Sequence, residues 1–200
     1  MPKLSAGLLL FKIDDSSTVE VLVVHPGGPF WAKKDDGAWS IPKGEYLEVE
    51  DAYEAAKREF REELGSDAPL HASFDLGEIK QSSGKRLHVW AIEGDLDVSR
   101  FQSNTFEMEW PAKSGRTAEF PEVDRAAWVS VALARRKLLK GHVEFVTRLV
   151  DALNAEGQSN MAEGEDADSV GQSSPFWGSS SAPTDADVEA QTHEGPAFLT

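Results

Sequence analysis

GEYLEVEDAYEAAKREFREELGS, residues 44–66, carries three crowded glutamates on a helical period. At about 100° per residue, Glu59, Glu62 and Glu63 fall within one arc of about 100°. Ala52, Ala56, Phe60 and Leu64 form a neighbouring stripe that should face a core. A helix is therefore expected over 51–64, with Gly65 as its stop. Like charges four residues apart cost an isolated helix about 0.2–0.5 kcal/mol per pair, so something should offset the repulsion. A hard divalent cation does so naturally, because Mg²⁺ prefers carboxylate oxygens and water. The run REFREE alone reads as an ordinary solvated face. The wider pattern does not: Gly44, Glu50, Arg58, Glu59, Glu62, Glu63 and Gly65 are seven fixed identities within 22 residues. At ordinary residue usage, a chance match at any one start is on the order of 10⁻⁸.

Strands and helices alternate outward from this segment. Residues 4–13 form an apolar strand, Asp14-Asp15-Ser16-Ser17 a turn, and residues 19–25 (VEVLVVH) a β-branched strand, together a hairpin. Residues 26–37 are a loop rich in Gly, Pro and Lys, followed by a short strand at 38–42. Further strands are expected at 73–80, 86–93, 106–110 and 125–129, then helices at 132–139 and 142–153 separated by Gly141. Such a mixture suggests an α/β fold with a sheet covered on both faces.

Charge is unevenly distributed. The 200 residues carry a formal net charge of −15, and residues 155–200 hold nine acids and no Lys or Arg. That stretch is rich in Ser, Gly and Ala and has no sustained apolar period. It cannot bury enough apolar surface to offset its ordering entropy, so a disordered acidic tail is expected over 155–200, beside a domain over 1–154. Two patches interrupt it, Pro175-Phe176-Trp177 and Pro196-Ala197-Phe198-Leu199, and the tail's partner is unknown. The acidity argues against a nucleic acid polymer held through its phosphates and against an anionic membrane surface. There is no cysteine, which excludes disulfides, thiolate metal sites and a Cys nucleophile. The apolar run Leu8-Leu9-Leu10-Phe11 is too short to span a bilayer and lacks the flanks of a signal peptide. A cytoplasmic protein is expected, with homodimerisation left open.

Residues 44–66 resemble the Nudix box, G-x5-E-x7-R-E-U-x-E-E-x-G-U, where U is a bulky apolar residue. Every defined position matches except the last, where Ser66 stands. The resemblance covers roughly residues 3–150. HPGGPFWAKKDDGAWSIPKGE and EFPEVDRAAW are also similar to a bacterial group of predicted NTP pyrophosphohydrolases in the Nudix superfamily.

The resemblance implies an α/β/α sandwich with a mixed sheet and a Mg²⁺- or Mn²⁺-dependent hydrolase. Such an enzyme cleaves a phosphoanhydride in a nucleoside diphosphate-linked substrate, here an NTP or a dinucleoside polyphosphate. It implies metal ligands at Glu59, Glu62 and Glu63, an orienting role for Arg58, and structural roles for Glu50, Gly44 (the turn after a strand) and Gly65 (the helix exit). An acid in the loop before the strand at 125–129 would add a ligand or the catalytic base, Glu122 first and Glu119 second. The Pro42-Lys43-Gly44 entry is similar to Nudix enzymes acting on dinucleoside or inositol polyphosphates and places Lys43 on a phosphate. Lys33, Lys34, Lys85 and Arg86 would form a basic rim. Trp39, with Phe30 and Trp31, is a candidate to stack on a base. The alternative from another class is a non-catalytic Nudix-fold module that senses a nucleotide.

Overall fold

Leu8, Leu9, Leu10 and Phe11 are all buried, because the strand that carries them, β1 (Leu4–Ile13), has helices on both faces. A computed structural model of the chain describes residues 3–81 and 84–167. The chain divides into two units, Met1–Met161 and Ala162–Thr200, and the sheet, the helix residues that pack on it and the candidate site belong to the first.

Side chains alternate along β1. Leu9 and Phe11 join one core with Val21, Val23 and Val89, while Ala6, Leu8 and Leu10 join the other with Leu22, Val24 and Ile92. The period of two sends successive residues to opposite faces, so a doubly covered strand reads as a continuous apolar run. Helix α1 (Ala52–Leu64) closes one face through Ala55, Ala56, Phe60 and Leu64. Helices α2 (Val131–Lys137) and α3 (Val143–Ala167) close the other through Ala134, Phe145, Val146 and Leu149. The result is the expected α/β/α sandwich.

The sheet is mixed. Strands β2 (Val19–Pro26), β3 (Lys43–Tyr46), β4 (Ser73–Lys80), β5 (Arg86–Glu93) and β8 (Val123–Ser130) surround β1. Their order is β4-β5-β1-β2-β8, with β3 also on β1. β1 runs parallel to β5 over its first eight residues and antiparallel to the other two neighbours. The β1–β2 hairpin pairs only from Phe11↔Val21 to Ile13↔Val19. Beyond that point the two strands part. The freed edge of β1 takes β3, from Leu4↔Tyr46 to Gly7↔Lys43, while the far end of β2 pairs with β8.

The segment 38–42 fills the opening and is not the strand expected there. It makes single bridges, Val24↔Ser40 and Trp39↔Leu138. A ladder cannot continue, because Pro42 has no N–H to give and the N–H of Ile41 donates to His142 Nδ1 at 3.2 Å. The expected strand at 106–110 is observed as β6 (Thr105–Glu109), paired with an unanticipated β7 (Thr117–Pro121) in a separate two-stranded ribbon. Helix α3 extends past the 154/155 boundary to Ala167. The rest of the expected tail, including both aromatic patches, lies outside the described residues. No helix among the described residues is long and apolar enough to cross a membrane.

Candidate active site

Helix α1 is fixed at both ends by residues the sequence provides. Asp51 caps the N-terminus, its carboxylate accepting from Tyr53 N at 3.0 Å and Glu54 N at 2.9 Å. Such a cap contributes about 1 kcal/mol. Gly65 ends the helix at φ 71°, its N–H bonded to Arg61 O, and a Cβ there would lie 2.6 Å from Gln102 O. Glycine is thus required twice, for its left-handed backbone and for the closeness of the next segment.

Arg58 gathers the acids along the helix. Its Nη1 donates to Glu59 Oε1 at 2.7 Å and Glu62 Oε2 at 3.3 Å. Its Nε donates to Glu50 Oε1 at 3.2 Å and its Nη2 to the carbonyl of Glu45 at 3.2 Å. One guanidinium therefore ties the segment before α1, through Glu50 and Glu45, to Glu59 and Glu62. Gly44 serves a purpose other than the expected turn. It lies within β3, and a Cβ on it would fall 1.7 Å from Glu59 Oε2. The missing side chain is the space in which the Glu59 carboxylate rests.

Glu63 is only 9% exposed. Its angular position lies between Ala52 and Ala56, inside the stripe that faces the sheet. Its Oε2 accepts from Lys43 N at 3.2 Å. Burial pushes this carboxyl up to about 8; the Lys43 charge and N–H oppose the shift, and the charges of Glu59 and Glu122 add to it. Glu59 is raised for the same first reason, with Arg58 opposing and Glu62 and Glu122 adding. Glu122, though an exposed residue, is raised by partial desolvation of its carboxyl and then by Glu62, with Lys43 opposing. The mutual electrostatics show that the fold assembles Glu59, Glu62, Glu63, Glu122 and Lys43 into one neighbourhood.

Glu122 arrives there through the chain linking 3-10 residues Val98–Arg100 to β6. Gln102 N donates to Leu64 O at 3.2 Å, and Asn104 N to Glu62 O at 2.9 Å, satisfying carbonyls at the C-terminal end of α1. Asn104 O then accepts from Glu122 N at 2.8 Å, and Glu122 O from Gly27 N at 2.9 Å. Glu119, the second choice, is placed elsewhere. It sits in β7 opposite Glu107 and accepts from Thr105 Oγ1.

The donor set suits a hard divalent cation, since Glu59, Glu62, Glu63 and Glu122 offer only carboxylate oxygens. Among the described residues, no three such side chains already converge in a coordination geometry. Arg58 draws the carboxylates of Glu59 and Glu62 toward itself, as expected of acids compensated by a guanidinium.

Trp39 requires a correction. It belongs to the core at 7% exposure, with Nε1 donating to Asp35 Oδ1 at 2.9 Å. His25 meets its ring edge-on at 5.3 Å and Arg125 lies over it at 5.2 Å, so it offers no free face to a base. Three residues of the basic rim are likewise engaged: Lys85 pairs with Glu45 at 3.1 Å, Arg86 with Glu78 at 2.6 Å, and Lys34 lies over Trp31 at 4.3 Å. Two histidines given no role are buried within the site's framework. His25 holds Asp124 at 2.6 Å and Lys34 O at 3.0 Å, and His142 holds the 38–42 segment through Ile41. Nothing in the sequence pointed to an apolar cleft of about 400 Å³ lined by residues 26–31, Phe106 and Met108 of β6, and Glu122.

The sequence matches the NUDIX domain over residues 1–149. Searching the curated proteins finds no match. Among solved structures, the NUDIX domain of Shewanella oneidensis NrtR complexed with ADP ribose matches at 16% identity and TM-score 0.52, covering 76% of this chain and 89% of that one. A C. elegans Ap4A hydrolase binary complex matches at 18% identity and TM-score 0.52, covering 76% and 98%. A mutT/nudix family protein from Listeria innocua matches at 14% identity and TM-score 0.52, covering 79% and 98%. At these identities the likeness concerns the fold.

Proposed function

The chain belongs to the NUDIX domain family, and from that premise we propose that it is a metal-dependent hydrolase. It cleaves a phosphoanhydride bond in a nucleoside diphosphate-linked substrate, an NTP or a dinucleoside polyphosphate. The observation that carries this reading is the assembly of Glu59, Glu62, Glu63 and Glu122 beside Lys43, with desolvation raising the carboxyls of Glu59, Glu63 and Glu122. Carboxylates packed this way carry an electrostatic cost that a bound divalent cation offsets. The ADP ribose and Ap4A named for two structural neighbours suit the same substrate class.

Glu59, Glu62 and Glu63 would hold Mg²⁺ or Mn²⁺, which would screen phosphate charge and lower the pKa of a bound water. The chain's own residues do the rest. Lys43 sets a positive charge against Glu63 and Glu122, where a substrate phosphate is drawn as to a point charge. Arg58 fixes the rotamers of Glu59 and Glu62 and, through Glu50, the loop before α1. A carboxylate within hydrogen-bond reach accepts the water's proton, and Glu122, on a different element from the helix acids, is assigned that task.

The test is turnover of nucleoside triphosphates, dinucleoside polyphosphates, ADP-ribose and sugar nucleotides with Mg²⁺, products identified by mass. Wild type should release phosphate or pyrophosphate, and Glu62→Gln should lose about 10²-fold or more in kcat, the scale of one lost electrostatic contact. Nucleotide binding with no product across the whole panel would replace the hydrolase by a sensor.

A further inference from the structure

We infer that the cleft beside Glu122 seats the nucleobase of the substrate and is built to accept any base rather than to read one. The inference rests on the hydrolase reading above and names what that site does with the part of the substrate that does not react.

The cleft, about 400 Å³, lies within the range of small-ligand pockets. One wall is the 26–31 loop with Phe30 and Trp31, and the other is Phe106 and Met108 of β6. Glu122 also lines it, and its carboxyl feels the charges of Glu62 and Lys43. A single residue thus belongs both to the apolar cleft and to the acid cluster. A ligand filling both has a flat apolar part at one end and an anionic part at the other, as a nucleotide has.

Backbone geometry keeps the walls close. Gly27 N donates to Glu122 O at 2.9 Å, and a Cβ on Gly27 would fall 1.9 Å from Pro121 O. Gly28, at φ 86°, would bring a Cβ to 3.2 Å from the Phe106 ring. The aromatics are held by contacts of their own: Phe30 meets Trp110 edge-on at 5.7 Å, and Phe106 meets Phe120 at 6.2 Å. Phe30 remains 60% exposed, a large apolar ring in water that a ligand can cover.

The lining also decides how selective the site is. Apart from the Trp31 indole N–H and the Glu122 carboxylate, its side chains bear no strong donor or acceptor. Strong discrimination between bases needs buried polar groups that are left unpaired by the wrong one, whereas apolar pockets separate near-isosteres by only about 10²-fold or less. Every base has a face to stack. Met108 adds a polarisable surface that adapts to ring size.

Steady-state kinetics with the full chain and Mg²⁺ test this. The substrates are ATP, GTP, CTP and UTP, the matching symmetric dinucleoside tetraphosphates, and abasic ribose 5-triphosphate. Within each nucleotide series kcat/KM should agree to within about tenfold, and the abasic compound should fall at least tenfold below ATP, chiefly in KM. Phe30→Ala, at an exposed position that folding tolerates, should narrow that gap, and Met108→Ala should do the same. A preference of a hundredfold or more for one base would overturn the inference, as would an abasic compound cleaved as well as ATP. If no compound is cleaved, the hydrolase reading fails, and the cleft is judged by calorimetric binding of the same compounds. Similar affinities for the four triphosphates and weaker abasic binding then support it, and undetectable or base-selective binding overturns it.

Discussion

Glu62 and Glu122 are joined through the peptide groups of one residue: Asn104 donates its N–H to the carbonyl of Glu62 at 2.9 Å and accepts the N–H of Glu122 at 2.8 Å. The end of α1 and the start of β8 are thereby held at a fixed separation. Neither bond involves a side chain, so substituting Asn104 itself leaves both in place. Ser103 is the neighbouring point at which this connection can be tested.

Ser103 Oγ accepts from Val123 N at 2.9 Å and donates to Asn104 O at 2.9 Å. Val123 is buried, so Ser103→Ala leaves an N–H inside the protein without its partner. A cost of about 1–3 kcal/mol in urea unfolding is expected. Turnover should fall through kcat more than KM as Glu122 loses its placement, and Ser103→Thr, which keeps the hydroxyl, should recover most of it. Equal kcat for the Ala variant and wild type would separate Ser103 from the site.

Gly44→Ala puts a methyl group where the Glu59 carboxylate lies. Glu59 must swing away and lose its 2.7 Å bond to Arg58. A displacement of about 1 Å in a catalytic group costs on the order of 10²-fold, and this is the drop expected in kcat/KM. Far-UV circular dichroism should be unchanged, because Gly44 has no positive φ to lose.

Burial makes Glu63 reluctant to ionise, with its carboxyl near 8 in the folded chain against 4.5 ordinarily. Between those values the metal-free folded protein binds a proton that the unfolded chain has released. Its stability therefore falls as pH rises through that window, by up to about 1.4 kcal/mol per pH unit. Glu63→Gln removes the effect. In EDTA at pH 8.5 the variant should melt above wild type, and saturating Mg²⁺ should reverse the order by binding the native wild type. A wild-type protein that melts higher in EDTA would contradict the burial of this charge.

His142 acts at the other end of the pH scale. Burial, reinforced by the charges of Lys43 and Lys85, lowers it to about 3, and its Nδ1 must stay unprotonated to accept from Ile41. Below about 6.5 the unfolded chain takes up a proton that the folded one refuses, so stability falls as pH drops toward 3, again by up to about 1.4 kcal/mol per pH unit. His142→Asn preserves an acceptor for Ile41 and removes the titration. Chemical denaturation from pH 7 to pH 4 should give a flatter profile for the variant than for wild type.

Periodicity explains what was legible in the chain. β1, β2, β4 and β5 lie where their apolar runs place them, and α1 lies where its i, i+4 stripe and its Asp51 and Gly65 boundaries place it. The 38–42 segment looked like a strand because it is apolar, but its backbone partners come from three different elements. β7 escaped notice because Thr117–Pro121 carries one large apolar residue, Phe120, and ends on proline, whereas β6 alternates Phe106 and Met108. Trp39 read as a stacking platform from its place beside the box, and the core took it instead.

By itself the sequence determined the sandwich, the helix that bears Glu59, Glu62 and Glu63, and the caps that delimit it, because these follow from local conformation and from the spacing of side chains along one element. Only the tertiary structure decided that Glu122 and not Glu119 joins them, that Gly44 is a space for a carboxylate, and that an apolar cleft opens beside the acids. Those outcomes depend on which backbone groups of distant segments find one another, through Asn104, Gly27 and the parted edges of β1 and β2, and no periodicity within a single segment encodes such pairings.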